Sequence, residues 1–295
     1  GVTDLLINAA TKAATGDQHY QEELAEVVLK HRGVVGELLG GSDEEITIRE
    51  TVDLLLEELG DLLHGVELVQ ECSPRTLDVI VSFGERLNCT IFAAYLRTRG
   101  HPAALVDARD LILTDNTHGS AVVEFDETYR RIEKRFKKLE GSLPVVTGFI
   151  AATSDGITTT LGRNGSDYTA SLLGAALRAE AVEIWTDVDG VLSADPRVVP
   201  EAFVVPEISL QEAMELSYFG AEVIHPFTMV PAIERGVPLF IKNTLNPSAR
   251  GTRISDSPPL SDRPITGVAS IENVALINVE GGGMMGIPGM ASRVF

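Results

Sequence analysis

The residue types best suited to chemistry in this 295-residue chain lie in a glycine-containing loop, residues 159–170, which precedes an Ala- and Leu-rich helix. Gly162 and Gly165 allow the backbone to turn tightly and to approach a ligand closely. Ser166 and Asp167 are residue types that cap a helix start, because their oxygens accept hydrogen bonds from unpaired backbone N–H groups. A loop of this kind at a helix N-terminus favours anions. The alternative is a capped helix with a solvated arginine.

Arg163 and Asp167 give this loop charges of both signs. The guanidinium of Arg163 presents a fixed fork of donors that suits a carboxylate or a phosphate. The carboxylate of Asp167 is suited to an ammonium group or to a positive side chain. An apolar strand predicted over residues 144–150 leads into the loop. The loop alone does not decide between a ligand site and a capped helix, so its context must.

A second polar segment follows a strand predicted at residues 182–185. Thr186 and Asp187 come directly after this strand, and a glycine turn and an Asp-Pro-Arg turn follow. In parallel α/β sheets, ligands bind beyond the carboxyl ends of the strands, so both residues are candidates for ligand contacts. The alternatives are a solvated turn or a fragment of a calcium loop, which lacks the later ligand positions. Lys242, at the end of another predicted strand, is a further ligand candidate.

A helix predicted to begin at Ser73-Pro74 contains the pair Gly84-Glu85. A glycine inside a helix costs about 1 kcal/mol relative to alanine, so Gly84 predicts the close approach of another backbone or of a ligand. Glu85 then either faces a pocket or forms a surface pair with a neighbouring arginine. His225, which precedes a proline, is interpreted as a structural histidine.

The composition limits the partners of the chain. The net charge of −19 disfavours nucleic acid, whose phosphates would be repelled. No apolar run approaches the roughly 18 residues that a membrane span needs, and no signal peptide is visible. Cys72 and Cys89 lie in helical, apolar patterns, so we predict free thiols in a reducing compartment. We therefore expect a soluble, cytoplasmic protein that binds neither nucleic acid nor membrane.

The spacing of apolar residues predicts helices over most of residues 1–64, with Asp43 as the cap of the third. Further along the chain, strands alternate with helices and end in polar residues. This alternation predicts a mostly parallel sheet covered by helices on both faces. A polar, proline-containing segment at residues 255–264 predicts a linker, and a new strand pattern begins at residue 265.

Four segments together resemble the aspartate kinases. They are Phe83–Leu87, Thr160–Ala170, Trp185–Gly190 with Asp195–Arg197, and Phe219–Ala221 with His225-Pro226. They occur in the order and spacing of that family over nearly the whole chain, which makes the combination far more specific than any one motif. Within the family, Ser73–Asp78 and Gly286–Ala291 resemble the bifunctional aspartokinase–homoserine dehydrogenase and plant-type branch.

The resemblance implies a fold and a reaction. The fold is the amino-acid kinase fold, an α/β three-layer αβα sandwich over residues 1–254, followed by the start of an α+β regulatory ACT domain at residues 265–295. The reaction transfers the γ-phosphoryl group of ATP, with Mg²⁺, to the side-chain carboxylate of L-aspartate. The product, 4-phospho-L-aspartate, is the first intermediate towards lysine, threonine and methionine. The resemblance also implies a homo-oligomer, a dimer or a tetramer, formed through the ACT region.

The resemblance further assigns roles to residues of this chain. Arg163 is expected to bind the α-carboxylate of aspartate, and Glu85 with Asp167 its α-ammonium group. Thr3 and Ser166 are expected to line the same pocket, in which Arg163 and Asp167 are the expected catalytic residues. The expected nucleotide contacts are Thr186, Asp187, Leu192, Arg197, Glu222, Val223 and Lys242. Mg²⁺ is expected to be held mainly by phosphates and water, so no protein ligand is assigned.

The sequence departs from the family pattern in two places. The family's N-terminal strand and Lys-Phe-Gly-Gly-Thr-Ser loop do not precede Gly1, and we expect the natural protein to contain them, because one lost charge-stabilising contact typically costs about 3–4 kcal/mol in the transition state. Glu222 stands where a lysine is common, so either it points away from the nucleotide or nucleotide binding differs. Three interpretations remain open: a catalytic aspartate kinase, a non-catalytic domain that binds aspartate or nucleotide, and a relative with another acceptor such as glutamate, acetylglutamate or UMP.

Overall fold

A computed structural model of the chain describes residues 1–139, 141–218, 226–256, 258 and 265–270. Within these ranges, a helical first part is followed by alternating strands and helices. The α-helices are α1 (Val2–Ala14), α2 (Tyr20–Leu39), α3 (Glu45–Val69), α4 (Pro74–Thr98), α5 (Phe125–Phe136), α6 (Gly165–Leu177), α7 (Leu210–Tyr218) and α8 (Val230–Glu234). The strands are β1 (Ala103–Val106), β2 (Leu143–Val146), β3 (Ile150–Ala152), β4 (Thr158–Thr160), β5 (Val182–Thr186), β6 (Glu207–Ser209), β7 (Leu239–Asn243) and β8 (Thr252–Ser255).

The first four helices pack around one apolar core, because their apolar residues recur at helical spacing. Leu6 of α1, Leu59 of α3 and Phe83 of α4 are completely or almost completely buried in it. Among the helices described, α4 alone is long and apolar enough to cross a membrane by length and composition. More than half of that apolar stretch is buried in the structure, so α4 is a core helix of this fold.

The strands form three short sheets in which most pairings are parallel. β1 pairs with β2 in parallel, and β3 pairs with β4 in antiparallel orientation. The third sheet has the order β5-β7-β8-β6, in which β5–β7 and β6–β8 are parallel and β7–β8 is antiparallel. α5 and α6 share a core with β1 and β3, and α7 and α8 pack with the four-stranded sheet. This arrangement confirms the predicted α/β class with a mostly parallel sheet.

Several element boundaries differ from the sequence predictions. Asp43 does not cap α3, because Glu44 occupies the N-cap position, without a side-chain hydrogen bond. The strand predicted over residues 144–150 is interrupted at Phe149, whose positive φ of 66° is incompatible with an extended strand. The sequence does not predict β4, β6 or β8, because strands of three or four residues are too short to show an alternating pattern.

The two cysteines are free thiols, as the sequence predicts. Cys89 is buried in α4, and burial raises the pKa of its thiol to about 12. Cys72 is half-buried just before α4, and burial raises the pKa of this thiol as well. Because the thiolate is the reactive form, neither cysteine is suited to nucleophilic chemistry at neutral pH.

Residues 265–270 pack near the four-stranded sheet without forming a strand. The N–H of Val268 donates to the carbonyl of Ser193 at 2.8 Å, and the hydroxyl of Thr266 donates to Glu212 of α7. The predicted start of a strand at residue 265 is therefore wrong for these residues, whose backbone bonds to a loop instead of a sheet. The rest of the predicted ACT region and most of the predicted linker lie outside the described residues, so the domain boundary stays a prediction.

Candidate functional site

The glycine-containing loop leads directly into the N-terminus of α6. Gly162 has a positive φ of 79°, which confirms the tight turn expected there. Asn164 occupies the N-cap position with a φ of 53°, and α6 begins at Gly165. The predicted capping role of Ser166 and Asp167 is therefore wrong, because both residues lie inside the first turn, where their own N–H groups are among the unpaired donors.

The break between β2 and β3 packs closely against the start of α6. A β-carbon at Gly165 would lie 2.8 Å from the ring of Phe149, and one at Gly148 would lie 2.9 Å from Ser166. Both glycines are therefore required by close packing. The N–H of Phe149 also donates to the hydroxyl of Thr169 at 3.1 Å. These contacts fix the first turn of α6 against the chain that follows β2.

Glu85 of α4 contacts the same break. Its carboxylate is half-buried and accepts a hydrogen bond from the N–H of Gly148 at 3.3 Å. Burial raises the pKa of Glu85 above its ordinary value of 4.5, and the bond from Gly148 opposes this shift only in part. The neighbouring Arg86 pairs instead with Glu58 at 3.2 Å. The prediction that Glu85 faces inwards is therefore confirmed, and the alternative of a surface ion pair with a neighbouring arginine is wrong.

Helix α1, which carries Thr3, packs against α4 at Gly84, next to Glu85. A β-carbon at Gly84 would lie 3.5 Å from Leu6 and 3.6 Å from Val2, which is ordinary packing distance. The close neighbour that Gly84 predicts is therefore a pair of α1 side chains, not another backbone or a ligand. Thr3 is exposed and follows Val2 directly, so it lies in the helical turn that packs beside α4 at this point.

Arg163 extends from the loop into solvent. Its side chain is exposed and forms no ion pair or hydrogen bond with any residue in the described part of the chain. Ser166 is also exposed, and the half-buried Asp167 accepts a hydrogen bond from the amide of Asn164 at 3.0 Å. In the loop, the guanidinium of Arg163 thus lies without a partner in the described part of the chain. It is followed by the carboxylate of Asp167 and by the N–H groups at the start of α6.

A cavity of about 460 Å³ joins the start of α6 to the carboxyl end of β5. Asn164 and Asp167 line one wall, and Trp185, Thr186 and Asp187 line the other. The hydroxyl of Thr186 donates to the carboxylate of Asp187 at 3.1 Å. The structure thus brings together the two polar segments that the sequence marks separately, which is the arrangement expected beyond the ends of parallel strands.

Lys242 lies on β7, next to one wall of this cavity. β5 and β7 pair so that Trp185 and Lys242 are register partners. The ammonium group of Lys242 lies 2.8 Å from the carboxylate of Glu183 and 5.1 Å from the centre of the Trp185 ring. The hydrogen bond from Lys242 lowers the pKa of Glu183. Lys242 is therefore positioned at the strand end and is already paired with a carboxylate.

The turn after β5 carries two more predicted nucleotide contacts. Leu192 is half-buried and forms an isolated antiparallel bridge with Val204. The side chain of Arg197 is 88% exposed and pairs with Asp195 at 2.7 Å, and its hydrogen bonds lower the pKa of Asp195. The other two predicted nucleotide contacts, Glu222 and Val223, and the histidine at position 225 lie outside the described residues.

A buried carboxylate joins three elements next to the loop, and the sequence analysis assigns it no role although it ends the Ser73–Asp78 motif. Asp78 of α4 is 2% exposed. It accepts hydrogen bonds from Nδ1 of His118 at 2.6 Å, from the hydroxyl of Thr160 at 2.6 Å and from the N–H of Gly119 at 3.1 Å. Its side-chain partners are 40 and 82 residues away in the sequence, so local patterns give no signal for this cluster.

Two residues that line the cavity also escape the sequence analysis. Asn164 stands between an arginine and a glycine, and because asparagine tolerates positive φ, its type is the signal that could have marked it. Trp185 gives no such signal, because it becomes a wall of the cavity only when β5 lies beside α6.

The arrangement favours positioning and charge stabilisation over covalent catalysis. It combines an exposed guanidinium, the N–H groups of a helix start, and the carboxylates of Glu85, Asp167 and Asp187. In the part of the chain that the structure describes, no group of three or more His, Cys, Asp or Glu is placed to hold a metal ion. Such a site can bind carboxylate, ammonium and phosphate groups together, which is what phosphoryl transfer requires of a protein.

Comparison with known proteins places the site in a family context. Residues 1–243 match the family model described as the amino acid kinase family. The chain is 39% identical over 300 residues to bifunctional aspartokinase/homoserine dehydrogenase 1, chloroplastic, of Arabidopsis thaliana, and this covers 100% of the chain and 33% of that protein. It is 37% identical over 300 residues to aspartokinase 1, chloroplastic, of the same species, which covers 99% of the chain and 52% of that protein. The chain thus spans about a third to a half of these relatives.

Several solved aspartokinase structures are similar to this chain. E. coli aspartokinase III in complex with lysine and aspartate (T-state) superposes with a TM-score of 0.79 and 34% identity, over 88% of this chain and 57% of that one. Its complex with aspartate and ADP (R-state) gives a TM-score of 0.80 at the same identity and coverage. Clostridium acetobutylicum aspartate kinase gives 0.68 with 30% identity, over 87% of this chain and 52% of that one.

Proposed function

Because the chain belongs to the amino acid kinase family, we propose that it is the kinase part of an aspartate kinase, which transfers the γ-phosphoryl group of ATP to the side-chain carboxylate of L-aspartate. The product is 4-phospho-L-aspartate. The observation that carries the proposal is the cavity in which the α6 loop, suited to an amino acid, faces the β5 end, suited to a nucleotide. The aspartate and the ADP in the names of the E. coli complexes support the same pair of ligands.

On the amino-acid side, the proposal assigns each ionic group of aspartate to an opposite charge. Arg163 binds the α-carboxylate, for which its fork of donors is suited. Glu85 and Asp167 bind the α-ammonium group, and Thr3 and Ser166 add hydroxyl contacts. This assignment leaves the side-chain carboxylate of aspartate directed towards the cavity, where the nucleotide would lie.

On the nucleotide side, Thr186, Asp187, Leu192, Arg197 and Lys242 bind ATP. The cations carry most of this interaction, since the phosphates are the charged part of the ligand. Mg²⁺ usually takes one or two carboxylates besides phosphate oxygens and water. Asp187 lines the cavity on the nucleotide side, so a carboxylate that fits that ion is present, and the ion would neutralise phosphate charge there. Glu222 and Val223, which lie outside the described residues, belong to the same proposed set of nucleotide contacts.

These residues would contribute to catalysis mainly by positioning the two reactants. Holding two reactants in line replaces a bimolecular encounter by an effectively unimolecular step, and pre-oriented donors stabilise the charge that develops on the transferring group. The N–H groups at the start of α6 are such donors, and Arg163 orients the amino acid through its α-carboxylate. No side chain in this assignment forms a covalent intermediate with the phosphoryl group.

A hydroxamate assay with ATP, Mg²⁺ and L-aspartate on the full-length protein tests the proposal. We expect an aspartate-dependent acyl phosphate that Arg163→Ala reduces by about 100-fold, since a lost charged contact costs about 3 kcal/mol. Arg178→Ala is the matched control, because Arg178 is an exposed arginine at the other end of α6. Equal losses in both variants would contradict the assigned role of Arg163.

The same experiment separates the alternatives. Binding of aspartate and ATP without acyl phosphate would support a non-catalytic binding domain. Acyl phosphate formed only with glutamate or acetylglutamate, or phosphoryl transfer to UMP, would support another acceptor. Oligomer formation through an ACT region and the cytoplasmic location stay predictions, and the chloroplastic relatives carry their location in their own names.

A further inference from the structure

The buried carboxylate of Asp78 has no part in the proposed chemistry, yet it forms hydrogen bonds to three residues near the site. It accepts hydrogen bonds from His118, Gly119 and Thr160, which belong to a loop and to β4. A carboxylate costs free energy when it is buried, and this one has no arginine or lysine partner among the described residues. Three donors therefore compensate its burial, and they come from elements that are far apart in the sequence.

The partners of Asp78 lie directly beside the glycine-containing loop. Thr160 precedes Gly162 by two residues, and its carbonyl accepts from the N–H of Ala121 at 2.9 Å. A β-carbon at Gly162 would lie 3.3 Å from the carbonyl oxygen of Gly119. The segment that bears His118 and Gly119 is thus in contact with the backbone from which Arg163 projects.

The segment that bears His118 and Gly119, residues 114–122, is closed by hydrogen bonds of its own. Asp115 accepts hydrogen bonds from the N–H of Thr117 at 3.1 Å, from its hydroxyl at 2.7 Å and from the N–H of Val122 at 2.9 Å. The hydroxyl groups of Thr114 and Thr159 lie 2.7 Å apart, which joins the base of the segment to β4. These hydrogen bonds close the segment on itself, and Asp78 joins it to α4.

Asp78 and Glu85 lie on the same helix, seven residues apart. Seven residues are about two turns of an α-helix, so both side chains project from the same face at a separation of about 10 Å along the axis. α4 therefore carries Glu85, which is assigned to the α-ammonium group of the amino acid. Through Asp78, the same helix also holds the loop that carries Arg163, which is assigned to the α-carboxylate. The helix sets the distance between the two.

We propose that Asp78 is a positioning residue which, through Thr160, His118 and Gly119, fixes the loop that carries Arg163 relative to Glu85 on α4. The proposal rests on the proposed function, because it concerns the two groups assigned to the α-carboxylate and the α-ammonium of the amino acid. Asp78 itself touches no substrate. Its effect is to fix the position of Arg163 relative to Glu85, the two groups assigned to the amino acid.

The variant that tests this is Thr160→Val, which replaces the donor hydroxyl by a methyl group and keeps the β-branched shape suited to a strand. We expect the KM for L-aspartate in the full-length protein to rise about tenfold, as for the loss of one hydrogen bond to a charged group. The KM for ATP should stay unchanged, because Asp78 forms no hydrogen bond with the residues at the end of β5 that are assigned to the nucleotide. Thr160→Ser, which restores the hydroxyl, should restore the KM.

Ser82→Ala is the matched control. Ser82 is buried on α4 between Asp78 and Glu85, and its hydroxyl donates at 2.6 Å to the carbonyl of Val79 in the same helix. Removing it deletes a buried hydrogen bond without touching the loop, so the KM for aspartate should not change. An equal rise of KM in Ser82→Ala and Thr160→Val would overturn the proposal, as would a rise in the KM for ATP of the same size.

Hydrogen exchange followed by mass spectrometry separates this inference from the proposed function. Faster exchange of the amides in residues 115–121 and 161–166 of Thr160→Val, with no aspartate-dependent activity in the unmodified protein, would leave the positioning role intact and refute the aspartate kinase. Unchanged exchange and unchanged KM in an active enzyme would refute the positioning role alone. Each outcome therefore decides one of the two proposals.

Discussion

The candidate site has two sides, and different kinds of interaction hold them. The α6 side comprises Glu85, Arg163 and Asp167, and the β5 side comprises Thr186, Asp187, Arg197 and Lys242. On the α6 side, the loop is held by buried hydrogen bonds, as in the 2.6 Å contact between Asp78 and Thr160. On the β5 side, Arg197 is held by an exposed pair with Asp195, and Lys242 by a pair with a carboxylate that is itself 42% exposed. One side is fixed before any ligand arrives, and the other is held by contacts that water and ions can replace.

This difference predicts how each side responds to its ligand. A hydrogen bond in a buried, low-dielectric environment is expensive to break without a replacement, whereas exposed ion pairs are weak and screened by salt. Phosphate groups can therefore displace the carboxylates that hold the cations of the β5 side. The backbone of the acceptor site is held before the ligand binds, and the nucleotide site exchanges internal partners for external ones. Each prediction below challenges or refines this contrast.

The largest effect on catalysis is expected on the α6 side, from Glu85→Gln. The catalytic efficiency kcat/KM for aspartate should fall about 100-fold, because a half-buried amide attracts an ammonium group far less than a carboxylate does. The KM for ATP should not change. Steady-state kinetics with Glu58→Gln as the control measure this, since Glu58 is an exposed glutamate on α3. A loss shared by both variants would show that the assay reports stability.

A smaller effect is expected on the exchangeable side, from Arg197→Ala. The KM for ATP should rise about tenfold at low salt, and less at high salt, because exposed charges are screened. The KM for aspartate should stay constant. The control is Arg99→Ala, which removes an exposed arginine at the end of α4. A rise that does not depend on salt would place Arg197 in a buried contact and contradict the contrast.

Preformation of the acceptor side should also be visible as a cost in stability. Burial raises the pKa of Glu85 in the folded state, so its contribution to stability is fully present below the unfolded pKa and is lost as the pH rises through the folded pKa. At neutral pH, Glu85→Gln should therefore raise the Tm. The gain should vanish below about pH 4. Thermal scans across this range test the sign, and a lower Tm at neutral pH would refute it.

The smallest effect is expected from the pair of Lys242 and Glu183. A double-mutant cycle with Lys242→Met and Glu183→Gln should give a coupling of about 0.5 kcal/mol in the free energy of unfolding, as for other partly exposed pairs. Urea denaturation measures it. A coupling several times larger would mean that Lys242 cannot leave Glu183 for a phosphate, and the β5 side would then be as fixed as the α6 side.

The sequence predicts well those features that depend on nearby residues. The α/β class, the turn at Gly162 and the polar end of β5 follow from local spacing, and the structure confirms each of them. The inward direction of Glu85 is confirmed as well, although the sequence left it open. The resemblance to aspartate kinases rests on the same local motifs, which is why it could be stated before any coordinates.

Features that depend on distant residues could not be predicted in this way. The role of Asp78 follows from contacts with partners up to 82 residues away, and its sequence neighbours do not distinguish it from a solvated acid. The start of α6 was misplaced because Asn164, at positive φ, ends the loop where Ser166 and Asp167 look like better caps. In both cases tertiary packing overrides local preference.

The docking of residues 265–270 has a practical consequence for anyone shortening the gene. A β-carbon at Gly267 would lie 3.1 Å from Leu216 and 3.2 Å from the carbonyl oxygen of Ser193, so this segment seals the surface of α7 and of the turn after β5. A polypeptide that ended at residue 256 would lose that seal and uncover Leu216. A shortened polypeptide should therefore retain residues 265–270, which lie beyond the polar stretch at which a sequence-guided cut would fall.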